Sequence, residues 1–201
     1  AKEIGADGAL LVAPYYNKPT QEGLYQHFKS VAESADIPNV LYNVPGRTVT
    51  AIAPDTVSKL SEIPNIVGIK EATGDLANCC EIISKVSDDF LVLSGDDFVT
   101  LPMMTMGAVG TISVTANVSP SDVSKMCEAQ LNGDFNIAKE LHYKMWLLNK
   151  MMFIETNPIP AKFTLSLMGK VKPEFRLPLC SPSEENIRKL EEFSSSYGLI
   201  K

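Results

Sequence analysis

A repeat of strand and helix is clearest in residues 39–86, which read NVLYNVPGRTVTAIAPDTVSKLSEIPNIVGIKEATGDLANCCEIISKV. A short apolar, β-branched run at Asn39–Val44 is followed by an amphipathic stretch at Ala53–Leu60. The same order returns with Ile66–Ala72 and Leu76–Val86. Apolar runs of this length between helical segments predict parallel strands that are buried on both faces.

The same alternation extends to both sides of these residues. Three more pairs of strand and helix are predicted: Ala9–Pro14 with Thr20–Ser34, Phe90–Ser94 with Phe98–Met106, and Thr111–Thr115 with Ser121–Leu131. After Gly133 the strand pattern stops, and three helical stretches follow: Phe135–Phe153, a segment between Pro158 and Gly169, and Ser183–Tyr197. We therefore predict a domain of βα units over 1–132 and a helical C-terminal extension over 133–201.

Five parallel strands fit two architectures of the α/β class. One is an open, doubly wound sheet, and the other is part of an eight-stranded (β/α)8 TIM barrel, which needs roughly 250 residues. The chain begins with Ala1–Asp7, a segment typical of the last turn of a helix that leads into a strand. This beginning favours the second architecture, with the last five βα units forming a partial barrel.

The composition is that of a globular domain and excludes several classes of partner. The 201 residues are 45% hydrophobic and 21% charged, unlike disordered or collagen-like proteins. Eighteen Lys and Arg residues oppose 24 Asp and Glu residues, which leaves a formal net charge of −6. Because nucleic-acid binding needs a surplus of basic side chains, we expect no nucleic-acid partner. The apolar run Gly8–Tyr16 is too short to span a bilayer, so we expect no membrane partner.

The four cysteines predict neither a metal site nor a disulfide framework. Cys79 and Cys80 are adjacent, and Cys127 and Cys180 are isolated, so no C-x-x-C spacing occurs. Only two histidines are present to complete a metal site. We therefore expect no metal, and a reducing, cytoplasmic location.

Lys70 is the strongest candidate for a reactive side chain. Strand alternation places Gly68 and Lys70 on one face, with Gly68 leaving space beside the lysine. In parallel βα proteins, reactive groups lie at the carboxyl ends of the strands. A lysine amine buried there has a lowered pKa and can attack a carbonyl group. Spacing alone favours the simpler alternative, a strand-end lysine that reaches water or pairs with an acid.

Tyr42 and Arg47 lie at the end of the preceding strand and on the loop after it. The phenol of Tyr42 could pass a proton between an imine and an alcohol, although a core tyrosine is the simpler interpretation. Arg47 follows a Pro-Gly turn and could hold a carboxylate with two hydrogen bonds. A solvated loop arginine is equally consistent with this position.

Tyr15, Tyr16 and Gly95 lie at other strand ends. If the strand continues, the two tyrosines point to opposite faces, so at most one faces the site and the other suits an interface. Gly95 could let a ligand approach the backbone. It could equally be a turn glycine before the helix-capping residues Asp96 and Asp97.

Six segments together closely resemble the dihydrodipicolinate synthase family. They run in order through essentially the whole chain: PYYN (14–17), YNVPGRT (42–48), GIKEATGD (68–75), LSGDD (93–97), GTISVTAN (110–117) and ETNPIPAK (155–162). The superfamily also contains sialic-acid lyases and keto-deoxy-sugar aldolases. The arginine of the Pro-Gly-Arg-Thr segment indicates the synthase among them.

The resemblance implies a fold, an assembly and a reaction. The fold is a (β/α)8 barrel with a three-helix C-terminal extension, assembled as a homodimer or homotetramer. The reaction is the condensation of pyruvate with aspartate semialdehyde to 4-hydroxy-tetrahydrodipicolinate, in lysine biosynthesis through diaminopimelate. No external cofactor is implied, because the enzyme holds pyruvate as an imine on a lysine.

The resemblance also implies a role for each candidate residue. Lys70 is expected to form the imine with pyruvate. Tyr42 is expected to relay protons during imine formation and cyclisation. Arg47 is expected to hold the carboxylate of the incoming aldehyde.

The remaining implied roles concern the pocket and a neighbouring subunit. Tyr16 is expected to reach across the dimer interface into the partner's proton relay. Tyr15 is expected near a cleft for feedback by lysine. Gly95 and the backbone of Ile112 are expected to line the pyruvate pocket.

The chain departs from the family at its beginning. The family's first three strands are absent, and with them a pair of threonines that links the two tyrosines of the relay. Two alternatives stay open here: a fragment of a complete enzyme, or a short protein that covers its open sheet edges by oligomerising. Two rival functions also stay open. One is another 2-keto acid aldolase, which would not need Arg47, and the other is a homologue with weak or no activity.

Overall fold

The computed structural model describes residues 1–200, which divide into two compact units. The first unit is Ala1–Ile112, and the second begins at Ser113. The sequence predicts a different boundary, after residue 132, where the alternation of strands and helices gives way to helices alone. That boundary concerns the type of secondary structure and stays a prediction.

The first unit contains the predicted parallel sheet of five strands, in the order β1-β2-β3-β4-β5. The strands are β1 Ala9–Val12, β2 Asn39–Asn43, β3 Ile66–Glu71, β4 Leu91–Ser94 and β5 Gly110–Thr111. A 3-10 turn at Lys2–Ile4 precedes β1. The helices are α1 Gln21–Ser34, α2 Pro45–Thr48, α3 Pro54–Ser61, α4 Leu76–Lys85 and α5 Thr100–Thr105. Each predicted βα pair of this unit is present, with ends that differ by a few residues.

Local side chains start the helices where the sequence predicts them. The hydroxyl of Thr20 accepts a hydrogen bond from the backbone N–H of Gly23 at 3.2 Å, which caps α1. The carboxylate of Asp75 accepts from the N–H groups of Ala77 and Asn78, which caps α4. Such caps satisfy N–H groups that have no partner inside the helix.

The two faces of the sheet differ in burial, and this difference positions the site. Leu41 and Ile69 point to one face and are fully buried, and α3 packs against β3. Val40, Tyr42 and Lys70 point to the other face and are only partly buried. Polar side chains on the second face therefore keep access to small molecules.

The predicted strand Thr111–Thr115 is wrong over most of its length. Strand β5 ends at Thr111, and the chain turns into a 3-10 helix at Thr115–Asn117. The hydroxyl of Ser113 accepts a hydrogen bond from the N–H of Ala116 at 2.8 Å. Short hydroxyl side chains that bond nearby backbone compete with strand pairing, which explains the early end of the strand.

The second unit is helical. Its helices are α6 Pro120–Leu131, α7 Phe135–Met152, α8 Ile159–Leu167 and α9 Glu184–Tyr197, and the last three are the helices predicted for the C-terminal extension. Leu148 and Met152 of α7 are fully buried in its core, with Leu190 of α9. Within residues 1–200, no helix is long and apolar enough to cross a membrane.

Candidate active site

The carboxyl ends of the strands are held together by a row of backbone hydrogen bonds that continues past the strands themselves. In each bond the residue after one strand donates its N–H to a carbonyl at the end of a neighbouring strand: Ala13 to Tyr42 (3.1 Å), Ala72 to Asn43 (2.9 Å), Gly95 to Glu71 (2.7 Å) and Ile112 to Ser94 (2.9 Å). Of the residues predicted for the site, Tyr42, Lys70, Gly95 and Ile112 lie on or next to this edge.

Lys70 and Tyr42 are direct neighbours on adjacent strands. The two residues are paired in the register of β2 and β3. The Nζ of Lys70 lies over the ring of Tyr42, 4.1 Å from the ring centroid. A cation in this position is attracted by the negative face of the ring. The structure thus joins two residues that the sequence could only place at the ends of separate strands.

The environment shifts the pKa of Lys70 and of Tyr42 in opposite directions. Burial lowers the pKa of Lys70, and the Arg47 charge lowers it further, while Asp97 opposes this. Burial raises the pKa of Tyr42, and Arg47 partly offsets the rise. Burial penalises the charged form of each group. The lysine is therefore biased towards the free amine, and the tyrosine keeps its phenolic proton.

Gly95 leaves the space that the Lys70 side chain occupies. A Cβ built on Gly95 would lie 2.8 Å from Cε of Lys70 and 2.6 Å from Cβ of Ala72. Real Cβ atoms do not approach other carbons this closely, so a side chain at position 95 would displace the lysine. Gly95 therefore shapes the site by having no side chain.

Strand alternation predicted this role for Gly68, and that prediction is wrong. A Cβ on Gly68 would lie 2.4 Å from the carbonyl oxygen of Leu91. Gly68 lets the backbone of β4 come close to β3, whereas the space beside Lys70 comes from Gly95 on the next strand. Alternation within one strand cannot reveal which residue of a neighbouring strand faces the lysine.

We expect Gly95→Ala to slow imine formation at Lys70 by about tenfold, because the new methyl group moves the end of the lysine by a fraction of an ångström. The measurement is the rate of pyruvate capture by borohydride, with thermal unfolding to confirm the fold. Gly46→Ala is the matched control, since a Cβ there meets nothing within 4 Å. Equal capture rates for the two variants would contradict this account of Gly95.

Arg47 lies on a single helical turn rather than on an open loop. The Pro-Gly-Arg-Thr segment forms α2, and the hydroxyl of Thr48 lies between the carbonyl oxygens of Val44 (3.1 Å) and Thr50 (2.8 Å), so that it can share its proton between them. Arg47 itself is exposed, and its charge acts on both Tyr42 and Lys70. The guanidinium charge therefore reaches both the amine and the phenol, and the Arg47 side chain is exposed to solvent.

Tyr15 and Tyr16 lie outside the cluster around Lys70. Strand β1 ends at Val12, so the predicted alternation of their side chains does not apply. Tyr15 is 68% exposed and Tyr16 is 92% exposed. Tyr16 also has a left-handed backbone, with φ at 64°, which is uncommon for a residue other than glycine. Neither ring is packed in this chain.

Ile112 directly follows β5 and takes part in the row of backbone hydrogen bonds at the carboxyl ends of the strands. Its N–H is already used in the bond to Ser94, so its carbonyl and its partly exposed side chain are the parts that can meet a ligand. Sequence reasoning placed Ile112 here only through the family resemblance, since an isoleucine after a strand carries no signal of its own.

Polar residues that sequence reasoning missed support the loop after β4. Ser94 and Thr100 are buried, and Oγ1 of Thr100 lies within hydrogen-bonding distance of Ser94 Oγ (3.1 Å) and of the carbonyl oxygen of Asp96 (2.9 Å). Asp97 is also buried, and its charge acts on Lys70. The signal in the sequence was the presence of hydroxyl and acidic side chains next to an apolar strand. Such side chains must find hydrogen-bond partners when they are buried.

The cluster has the parts needed for nucleophilic attack on a carbonyl group. The amine of Lys70 is the nucleophile, and the phenol of Tyr42, whose ring centroid lies 4.1 Å from that amine, is a proton donor. The guanidinium of Arg47 is a partner for a carboxylate. Residues 1–200 contain no group of three or more His, Cys, Asp or Glu side chains that could hold a metal ion. The arrangement suits capture of a small oxo acid as an imine.

Comparison with known proteins gives one consistent match. Residues 1–196 match the model of the dihydrodipicolinate synthetase family. The chain is 57% identical over 201 residues to the 4-hydroxy-tetrahydrodipicolinate synthase of Thermodesulfovibrio yellowstonii, covering 100% of this chain and 69% of that protein. It is 53% identical over 200 residues to the enzyme of the same name from Aquifex aeolicus, covering 99% of this chain and 68% of that protein.

Solved structures agree with these sequence matches. The dihydrodipicolinate synthase of Aquifex aeolicus has a TM-score of 0.96 and 53% identity, covering 98% of this chain and 68% of that one. The dihydrodipicolinate synthase of Acinetobacter baumannii, solved in complex with pyruvate, has a TM-score of 0.96 and 47% identity, covering 99% and 68%. The predicted fold class, a partial (β/α)8 barrel with a helical extension, is thereby confirmed.

Proposed function

Because the chain belongs to the dihydrodipicolinate synthetase family, we propose that it is a 4-hydroxy-tetrahydrodipicolinate synthase. This lyase condenses pyruvate with aspartate semialdehyde, the first committed step of lysine biosynthesis through diaminopimelate. The observation that carries the proposal is the Lys70 amine over the Tyr42 ring, with a pKa lowered by burial.

Lys70 is the nucleophile. Its free amine attacks the keto carbon of pyruvate, forming a carbon–nitrogen bond, and the oxygen leaves as water to give the imine. The protonated imine draws electrons from the neighbouring methyl carbon, so that carbon can lose a proton and attack the aldehyde. The imine supplies the electron sink, and no separate cofactor is needed for this chemistry.

Tyr42 is the proton donor and acceptor. Its raised pKa keeps the phenol protonated at neutral pH, so it can give a proton to the departing oxygen during imine formation. It takes a proton back when the product closes its ring and releases Lys70. In this proposal Gly95 and the backbone of Ile112 line the space for pyruvate, which is supported for Gly95 by the room that it leaves beside Lys70.

The proposal is tested by treating the purified protein with pyruvate and sodium borohydride and then mapping peptides by mass spectrometry. Borohydride reduces the imine to a stable secondary amine on the lysine that formed it. We expect one reduced pyruvate per chain, on the peptide that contains Lys70. A folded protein with no adduct would refute the proposed function.

Arg47 binds the carboxylate of the aldehyde substrate. We expect Arg47→Ala to raise the KM for aspartate semialdehyde by about 10- to 100-fold, because charge-assisted bonds to a carboxylate are lost. Capture of pyruvate at Lys70 is expected to change little. Steady-state kinetics with each substrate varied in turn measure both effects. An unchanged KM for the aldehyde would favour a different 2-keto acid aldolase on the same scaffold.

The exposed tyrosines support an assembly of two or four copies. Tyrosine is enriched at protein interfaces, and the rings of Tyr15 and Tyr16 are 68% and 92% exposed in one copy. Tyr16 enters the proton relay of the neighbouring subunit, and Tyr15 lies near a cleft for lysine. The net charge of −6 argues against a nucleic-acid partner, and the four free cysteines support a reducing, cytoplasmic location.

A further inference from the structure

Strands β2 and β3 end in two consecutive residue pairs that point to opposite faces of the sheet. Tyr42 is paired with Lys70, and the next pair is Asn43 with Glu71. The first pair belongs to the site described above. The second pair lies on the buried face, directly behind it.

Glu71 is a buried carboxylate that accepts hydrogen bonds at both oxygens. The residue is 1% exposed. Its Oε2 accepts from Nδ2 of Asn43 at 2.8 Å, and its Oε1 accepts from the backbone N–H of Thr73 at 2.7 Å. Burial raises the pKa of Glu71, and these bonds oppose the rise. An apolar residue would be cheaper to bury here, since burying a charge is costly even when it is bonded.

Asn43 links this carboxylate to the segment that carries Arg47. Asn43 is completely buried. Its Oδ1 accepts from the N–H of Ile52 at 3.0 Å, and its Nδ2 also lies 3.4 Å from the carbonyl oxygen of Ile52. The segment 44–52 leaves the sheet immediately after Asn43 and returns to its side chain. The loop is therefore closed at its base by one residue.

The backbone of this loop is strained, so it needs such a clamp. Val49 has a φ of 61°, and its side chain is exposed. A β-branched residue in the left-handed region is strained and persists only where the surroundings hold it. The bonds of Thr48 hold the turn from within, and Asn43 holds it at the base.

We propose that Glu71 and Asn43 form a positioning pair that fixes Arg47 relative to Lys70 and Tyr42, and thereby sets the affinity for the aldehyde substrate. This inference rests on the proposed function, in which Arg47 holds the carboxylate of that substrate. Neither residue touches the reacting atoms. The carboxylate orients Asn43, and Asn43 in turn orients the loop.

The test exchanges the roles of donor and acceptor within the pair. In Glu71→Gln the amide oxygen can accept from only one of the two donors, Asn43 Nδ2 or the N–H of Thr73. The new NH2 group then faces the other donor, and two donors cannot form a hydrogen bond. Asn43→Asp places two carboxylates side by side. The double variant Glu71→Gln/Asn43→Asp restores the bonds in reverse: the glutamine NH2 donates to the aspartate, and its oxygen still accepts from Thr73. The aspartate still accepts from Ile52, and the total charge equals that of the original pair.

We expect each single variant to raise the KM for aspartate semialdehyde by about tenfold, because a small displacement of a substrate-binding group is costly. The KM for pyruvate is expected to stay within about twofold, because backbone bonds to Asn43 and Glu71 still hold the strand ends. The double variant is expected to recover to within about threefold of the original KM.

Asn39→Asp is the matched control. Asn39 lies on the same strand and is also buried. It donates to the carbonyls of Ile37 (2.9 Å) and Asn65 (3.3 Å), at the end of the sheet opposite the site. The variant makes the same chemical change at similar burial, so it is expected to lower the thermal stability and leave the KM for the aldehyde unchanged.

Hydrogen exchange of the segment 44–53 gives a second readout that does not depend on turnover. We expect faster exchange there in each single variant, protection restored in the double variant, and no change in Asn39→Asp. Unchanged exchange and KM in the singles, or no recovery in the double variant, would overturn the positioning pair. Failure of the original protein to capture pyruvate at Lys70 would refute the proposed function instead, and the exchange pattern would still decide the role of the pair.

Discussion

Lys70→Met is expected to abolish the reduced pyruvate adduct and to lower turnover by about 10⁴-fold or more, as removal of a nucleophile does. Methionine keeps an unbranched side chain beside Tyr42 and Gly95 but has no amine. The measurement is peptide mapping after pyruvate and borohydride, together with steady-state turnover. The loss follows from chemistry, because the carbon–nitrogen bond of the imine cannot form without the amine.

Lys85→Met is the control for this variant. Lys85 makes hydrogen bonds to Asp55 and Glu81, which raise the pKa of its amine. It is therefore held as an ammonium ion, the opposite of Lys70, and its loss is expected to leave the adduct intact. An adduct that persists in Lys70→Met would show that another lysine is the nucleophile.

The rate of adduct formation is expected to rise with pH as Lys70 loses its proton. Since burial lowers the pKa of Lys70, the midpoint of this rise is expected below the ordinary lysine value of about 10.4. Rapid-quench borohydride capture across a pH series measures it. A midpoint at the ordinary value would show that the amine is not desolvated in solution.

Tyr42→Phe is expected to slow imine formation by about 10²- to 10³-fold, the usual contribution of a positioned proton donor. The phenylalanine ring keeps the surface under the Lys70 amine, which lies 4.1 Å from the ring centroid. The lysine is thus expected to stay in place, and the loss reports the hydroxyl alone. Single-turnover capture of pyruvate, compared with thermal unfolding, separates this effect from a change in stability.

Tyr25→Phe is the matched control for the hydroxyl. Tyr25 lies on α1 beneath another lysine, with Nζ of Lys29 at 6.0 Å from its ring centroid. Both variants remove one phenolic oxygen next to a lysine, and only one of them is at the site. If Tyr42→Phe captured pyruvate as fast as Tyr25→Phe, the proton relay would have to run through another group.

Much of the fold was predictable because the signals are local. Apolar runs such as Asn39–Val44 and Ile66–Ala72 predicted the strands correctly, and the capping residue Thr20 sits at the start of its helix. These properties depend on neighbours in sequence. The predicted burial on both faces is wrong, because Val40, Tyr42 and Lys70 are only partly buried. The strand at 111–115 was predicted wrongly, because the hydroxyl of Ser113 bonds the nearby backbone instead of allowing the strand to continue.

The candidate site was predictable only as a set of separate residues. Lys70, Tyr42 and Arg47 were each found at a strand end, and for each of them a structural role was at least as good an interpretation. The family resemblance supplied their grouping. The register of β2 and β3 brings Lys70 and Tyr42 together. This register depends on how the two strands pair, so it cannot be predicted from the sequence of either strand alone.

The sequence by itself determined the order of strands and helices, the chemical groups available and the family. Only the tertiary structure decided that Gly95 rather than Gly68 makes room for Lys70, and that Asn43 and Glu71 hold the Arg47 loop from the buried face. The physical reason is that periodicity and capping arise between residues close along the chain. Close packing and buried hydrogen bonds instead join residues from different strands, and their distances exist only once the sheet has formed.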